Sequence, residues 1–213
     1  MKKLFLLFLI FPLLPLNAQK IGKLAPDTSR VVFPPNAWEV NVMFSEGGFG
    51  LGTLLRKNLS DNLSGFIDFS IGESKDDREF EYIDYYGNVY TFNKKNRVFM
   101  FPLNFGLQYR IFSDALTDNM RPFISVALGP SFAMTDPYER EFFEALKYAQ
   151  MKVAFGGYVA LGANFGMSRE SLLGFTIKYS FAHFFDKGVE NIYDRFRKDI
   201  GSLSISLDIG LQY

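Results

Sequence analysis

The sequence predicts an all-β chain, an eight-stranded antiparallel up-and-down transmembrane β-barrel. Three observations lead there. Residues 201–213 alternate strictly, with Leu203, Ile205, Leu207, Ile209, Leu211 and Tyr213 on one parity. Ser202, Ser204, Ser206, Asp208, Gly210 and Gln212 occupy the other. Period two over that length is a strand whose two faces meet different surroundings. Seven further stretches upstream repeat the alternation, and the segments joining them alternate between short and long.

The amino terminus is set apart from this pattern. Lys2 and Lys3 precede an apolar run from residue 4 to residue 16, and Asn17, Ala18 and Gln19 supply small and polar residues after it. This reads as a secretory signal peptide over residues 1–18, too short and wrongly flanked for a membrane span. Residues 19–36, with Pro26, Pro34 and Pro35, have no periodicity and read as a linker on the periplasmic side. The barrel is expected over 37–213. With no cysteine, neither a disulfide nor a lipid-anchored start is available. Lys+Arg and Asp+Glu are 23 each, so loss of Lys2 and Lys3 leaves 21 basic residues and a net charge of −2. That balance offers nothing to nucleic acid.

Strand one is expected over 38–46, where Trp38, Val40, Val42 and Phe44 alternate with Glu39, Asn41, Met43 and Ser45. Strand two (49–57) sets Phe49, Leu51, Thr53 and Leu55 against Gly50, Gly52, Leu54 and Arg56. Strand three (63–72) carries Ile67, Phe69 and Ile71 opposite Phe66, Asp68 and Ser70, and strand four (97–111) carries Phe101, Leu103, Phe105 and Leu107 opposite Asn104, Gly106, Gln108 and Arg110. Strands five (121–134), six (152–167) and seven (172–182) continue in the same way, and 201–213 is the eighth. Glu46-Gly47-Gly48 decides the count. Read as a tight turn, it gives eight strands and puts both chain ends on one side, in keeping with the even number that bacterial single-chain barrels have.

The polar parity assigns the faces. It is dominated by Gly, Ala and Ser, among them Gly52, Gly106, Gly129, Gly156 and Gly162. A water-facing surface would be dense in Lys and Glu; small side chains suit a narrow lumen filled by side chains. The opposite parity is almost unbroken hydrocarbon, which lipid requires. Glu39, Arg56 and Arg110 are expected in the lumen near the short-turn end, and Asp68, Lys178 and Asp208 nearer the middle. Enclosed charges need partners. Lys178 and Asp208, on adjacent strands, are expected to pair, and the six together to form a polar core with no open channel.

Among the long connections, residues 79–93 place the turn signal Gly87-Asn88 between two aromatic runs. A hairpin extending strands three and four is expected, presenting Tyr82, Tyr85, Tyr86 and Tyr90. Thr135-Asp136-Pro137 reads as a helix start, followed by a short helix ending near Tyr148, with Phe142 on its face. These aromatics are the candidates for touching a surface partner; anchoring at the membrane interface is the simpler role for them.

His183 is the one histidine. No Cys/His cluster or calcium loop supports a metal, no glycine-rich loop sits between strand and helix, and no cofactor is expected. His183-Phe184-Phe185-Asp186 faintly resembles the His-x-Ser-Asn run of barrel lipid A deacylases, in which His activates Ser for ester hydrolysis. Phe185 stands where that serine would be. Ser180 precedes His183 by three residues, which on one strand puts the two on opposite faces. Catalysis is therefore not expected.

The leader, the eight alternating strands, the short and long connections and the terminal aromatic together resemble the small eight-stranded bacterial outer-membrane β-barrel domain family. The resemblance implies an outer-membrane site with both termini periplasmic and outer-membrane lipid around the barrel. It also implies that Ile209, Leu211 and Tyr213 form the segment read by barrel assembly machinery. A structural or surface-interaction role through the outer loops is expected. The alternatives are transport or sensing of a small apolar solute, and lipid A or phospholipid modification.

Overall fold

The computed structural model describes residues 34–76, 78–87, 89–113, 116, 120–166 and 170–213. The expected leader, nearly all of the linker, and Met167 lie outside them. The long strands are β1 (Asn36–Ser45), β2 (Gly48–Asn58), β3 (Leu63–Glu73), β4 (Asn96–Arg110), β5 (Met120–Pro137), β6 (Gln150–Gly166), β7 (Ser171–Phe184) and β8 (Asp199–Gln212). Among the described residues, each pairs antiparallel with its chain neighbour, and β1 also pairs with β8, so the sheet closes into one barrel with no edge. Glu46-Gly47 is a turn, as the strand count requires, with Gly48 at φ +121°. At the other end Asn36 and Tyr213 exchange backbone hydrogen bonds of 3.1 and 3.0 Å.

The parities separate as the alternation dictates. Asp68 and Ser131 are fully or almost fully buried, while Leu161, Ile209 and Leu207 keep 57%, 58% and 43% of their surface open on the outside. The core is thus the lumen, and the outer face is an apolar belt that water would not wet favourably. Trp38, on that belt, donates its indole N–H to Thr53 Oγ1 at 2.8 Å, and Thr53 donates in turn to the Glu39 carbonyl at 3.1 Å. A polar group facing hydrocarbon is thereby satisfied within the wall.

Two loop expectations are corrected. Thr135-Asp136-Pro137 does not start a helix; it is the end of β5, in register with Asn96–Val98 on one side and, through Thr135, with Gln150 on the other. Ladder bonds to two strands outweigh one local cap. The helix (α1, Phe142–Ala145) begins after Glu141 and continues as a 3₁₀ turn to Tyr148. The aromatic hairpin forms, pairing Glu81–Ile83 with Val89–Thr91, but as a two-stranded sheet of its own rather than an extension of β3 and β4. β3 ends at Glu73, and the Asp76 carboxylate beyond it takes hydrogen bonds from the Arg78 backbone and guanidinium.

Candidate functional site: the lumen and its loop cap

Three levels of polar and aromatic side chains fill the lumen. Nearest the short turns, Arg56 Nη2 pairs with Glu39 Oε1 at 3.1 Å, Arg110 donates to the Leu116 carbonyl at 3.3 Å, and Arg121 lies within Coulombic reach of all three side chains. Above them Asp208 accepts from Thr176 Oγ1 at 2.6 Å and from Ser206 Oγ at 2.9 Å. At mid-height Lys178 Nζ meets Asp68 Oδ2 at 3.0 Å and sits 4.3 Å from the centre of the Tyr158 ring. Tyr158 stacks on Phe66 at 6.1 Å.

Lys178 therefore pairs with Asp68, not with Asp208. The register explains the correction. Lys178 lies opposite Ser204 on β8, and Asp208 lies opposite Gly174, four residues farther toward the short turns. At about 3.3 Å per residue that offset is about 13 Å, beyond the reach of a lysine. Asp68 on β3 is four strands from β7 in either direction, so the two side chains meet across the axis.

Glycines make room for the rings that cross the lumen. A Cβ at Gly106 would strike the Phe66 ring and come within 2.5 Å of the Val126 carbonyl, and one at Gly162 would come within 2.5 Å of Phe123 Cζ. Above the Lys178 level the small side chains leave space. A cavity of about 110 Å³ is lined by Met43, Ser70, Met100, Asn104, Ser131 and Ser204, among others. The expectation of a packed lumen holds at mid-height and fails here, because Ser and Gly do not reach the axis.

The long-loop end is closed by Val98, Ala133, Ala154, Ala182, Phe184, Val189 and Ile200, a buried apolar cluster to which Val189 comes from the last loop. That loop forms a hairpin, Val189–Ile192 against Arg195–Arg197. Asn191 donates to the Ser74 carbonyl at 3.1 Å, Arg197 to the Lys75 carbonyl at 2.8 Å, and Lys95 to Glu190 at 2.7 Å. Buried Lys94 pairs with Glu79 at 2.9 Å, and Arg97 with Asp136 at 3.0 Å. The long loops thus hold one another in an ordered cap. The Glu190 hydrogen bond pushes Lys95 above its usual range. Burial alone would raise Glu190 and Asp76, yet Lys95 holds the first and Arg78 with Arg197 the second below the usual carboxylate range. Asp186 is held low by the Gly188 backbone N–H and by Lys152.

From this cap the aromatic hairpin projects. Tyr85 is 98% and Tyr86 85% exposed, their rings edge to face at 5.7 Å, and Tyr82 is half-exposed. Tyr90 faces Tyr82 in the backbone register, with its side chain outside the described residues. Phe142 packs edge to face on Phe99 at 5.9 Å, which ties the helix to the barrel rim. Ile209 and Leu211 lie on the outer, apolar face of β8, and Tyr213, just past its end, is exposed as well. His183 points outward and meets Asp199 at 2.6 Å, while Ser180 is on the lumen parity. No group of metal-ligating residues exists among the described residues.

No protein-family model and no curated protein matches the sequence. Among solved structures, Neisserial surface protein A superposes with a TM-score of 0.50 at 10% identity, over 84% of this chain and 94% of that one. The chain has the fold of a small eight-stranded outer-membrane β-barrel. The N-terminal barrel domain of Pseudomonas aeruginosa OprF (TM-score 0.46, 11% identity, 84% and 96% coverage) and Ail, the attachment invasion locus protein of Yersinia pestis (0.42, 9%, 84% and 95%), also match.

Two lumen residues were not singled out from sequence. Tyr158 and Arg121 both lie on the small-residue parity of their strands, the one signal that pointed to them. A large side chain among Ala154, Gly156 and Ala160 has only the lumen to fill.

Proposed function

We propose that the chain is an integral outer-membrane protein whose barrel serves as a rigid pedestal for an interlocked loop cap that touches a surface partner. The observation that carries this reading is the contrast between the locked base of the cap and the open aromatics of its hairpin. Lys94, Asn191 and Asp76 are buried in ion pairs and hydrogen bonds, while Tyr85 and Tyr86 are left almost wholly uncovered. Tyr brings a large contact area with only two side-chain torsions to fix on binding, and it is enriched in interface hot spots. In this reading the short turns and both termini face the periplasm, as is usual for bacterial barrels with short turns on one side and longer loops on the other.

Intact cells expressing the protein provide the test. Chymotrypsin added outside should cut within residues 79–93, and the protein should sediment with the outer membrane and shift mobility on heating. Tyr85→Ser with Tyr86→Ser should reduce cell adhesion to the partner surface without changing either property. Protection of the hairpin from external protease would refute the placement.

The cavity of about 110 Å³ favours a second reading, in which the barrel holds or senses a small solute. Planar-bilayer recording tests whether a solute could also pass through, because the Phe66–Tyr158 level should block steady conductance.

A further inference from the structure

Four consecutive residues of β4 have a ladder partner on one side only. Phe101 pairs with Phe132 and Pro102 with Ser131, both on β5, while Leu103 pairs with Phe69 and Asn104 with Asp68, both on β3. Met100 and Phe105, which flank this stretch, pair with both neighbouring strands. The lapse toward β3 contains Pro102 and the lapse toward β5 contains Pro130, and proline has no N–H to give to a ladder. Among the described residues, the registers of the other six seams of the barrel run without a break. The same stretch walls the lumen cavity, which Ser70, Gly72, Met100, Pro102, Asn104 and Ser131 line from β3, β4 and β5.

We infer that a small uncharged solute enters this cavity sideways from the surrounding lipid, through the wall at residues 101–104 of β4. The route presupposes the reading in which the barrel holds a solute. The two ends of the cavity are the harder ways in. Below it the Phe66–Tyr158 stack and the Lys178–Asp68 pair fill the lumen, and above it the cluster of Val98, Phe184 and Val189 closes the barrel. At the rim beside the β1–β2 turn, a Cβ at Gly47 would strike the Glu73 carbonyl, so that edge is tightly packed as well. Parting the wall costs the ladder bonds that must break, because lipid offers the freed backbone groups no partner. That cost is lowest where the ladder already lapses.

The lining selects the class of solute. Its two charged side chains are already paired, Lys178 with Asp68 at 3.0 Å and Glu73 with Lys94 at 3.6 Å, so no uncompensated charge awaits an ion. Lys178, with N–H groups beyond the one it gives Asp68, and the Ser131 hydroxyl can meet one polar head. Met43, Met100 and Ile200 face a short hydrocarbon tail. An apolar cavity of about 150 Å³ takes benzene, so a smaller one suits roughly five non-hydrogen atoms. A short-chain alcohol or ketone has this size and polarity.

The test uses the full barrel in phosphatidylcholine nanodiscs, with isotope-labelled methionine methyls as NMR reporters and n-butanol as the probe. Saturable shifts are expected at Met43 and Met100 and not at Met151, which is exposed on the outer face. Butyrate at neutral pH should bind at least tenfold more weakly. Ser131→Leu and Ser70→Leu, which fill the cavity, should each abolish the shifts in protein that keeps its heat-modifiable migration. The route is tested with Ile71→Cys plus Phe101→Cys in this cysteine-free chain, whose disulfide staples β3 to β4 across the lapse. Oxidation should slow butanol exchange, measured by methyl relaxation dispersion, at least tenfold while affinity stays within twofold, and reduction should restore the rate. The same staple at Ile67 and Phe105, a paired position of that seam, should leave the rate unchanged. No saturable shift, or shifts that survive in both folded Leu variants, would overturn the solute reading and the route with it. Binding whose exchange rate ignores the 71–101 staple, or is slowed equally by both staples, would overturn the route alone. Equal binding of butyrate would overturn the assignment of an uncharged solute.

Discussion

Replacing Lys178 by Met isolates the pair on which the middle of the lumen depends. The Asp68 side chain has no exposed surface and that of Lys178 has 8%, and their contact is 3.0 Å. Methionine keeps the length of the stem and removes the charge, which leaves a carboxylate beside Tyr158 with no cation. Breaking one side of a buried pair costs about 3–5 kcal/mol, whereas removing both charges is close to neutral. Lys178→Met is therefore expected to destabilise by about 4 kcal/mol. Asp68→Asn combined with it should recover most of that loss, so that the coupling well exceeds the ~0.5 kcal/mol scatter of independent sites. Asp208→Asn combined with Lys178→Met should be additive, because Asp208 is held by Thr176 and Ser206 instead. Trp38 is the one tryptophan and lies on the outer face, so its fluorescence follows transfer from lipid to water in a urea titration in vesicles. A loss below about 1 kcal/mol for Lys178→Met, or coupling to Asp208 in place of Asp68, would refute the cross-lumen assignment.

Gly106→Ala should cost about 1–3 kcal/mol in the same titration, because its Cβ meets the Phe66 ring and the Val126 carbonyl; a variant as stable as wild type would mean that Phe66 does not lie over Gly106. The cap should be acid-labile. Asp76, Asp186 and Glu190 are held below the usual carboxylate range, so their contribution is complete above about pH 5 and fades as pH falls through their lowered values. Lys95 is pushed upward, so its contribution persists through neutral pH and is lost only at strongly alkaline pH. Amide-exchange protection in the 189–197 hairpin, flat from neutral pH to about 5 and falling below about 4, would be the signature. Ile209→Asp, which puts a charge on the outer face of β8, and deletion of Tyr213 should each slow insertion into lipid; normal assembly of both, judged by heat-modifiable migration, would count against that role.

Strand number, closure and the two faces were legible in the sequence because a strand alternates every residue. A single stretch such as 201–213 therefore shows which side chains share a face, and eight such stretches with short and long joins leave one simple closure. What stayed illegible depended on position along neighbouring strands. Whether Lys178 met Asp208 or Asp68 turned on a four-residue offset that only the closed sheet sets, since alternation fixes parity and not height. Thr135 carried a helix-start signal that β4 and β6 overrode with a continuous ladder. Gly106 and Gly162 could be read as lumen glycines, but not as the places where Phe66 and Phe123 cross. The sequence by itself determined a barrel with an apolar outside and a polar, small-residue inside. Only the tertiary structure decided which buried charges meet, where the lumen is filled or hollow, and how the loops lock, because each of these is a contact between residues distant in the chain, brought together by closure and register.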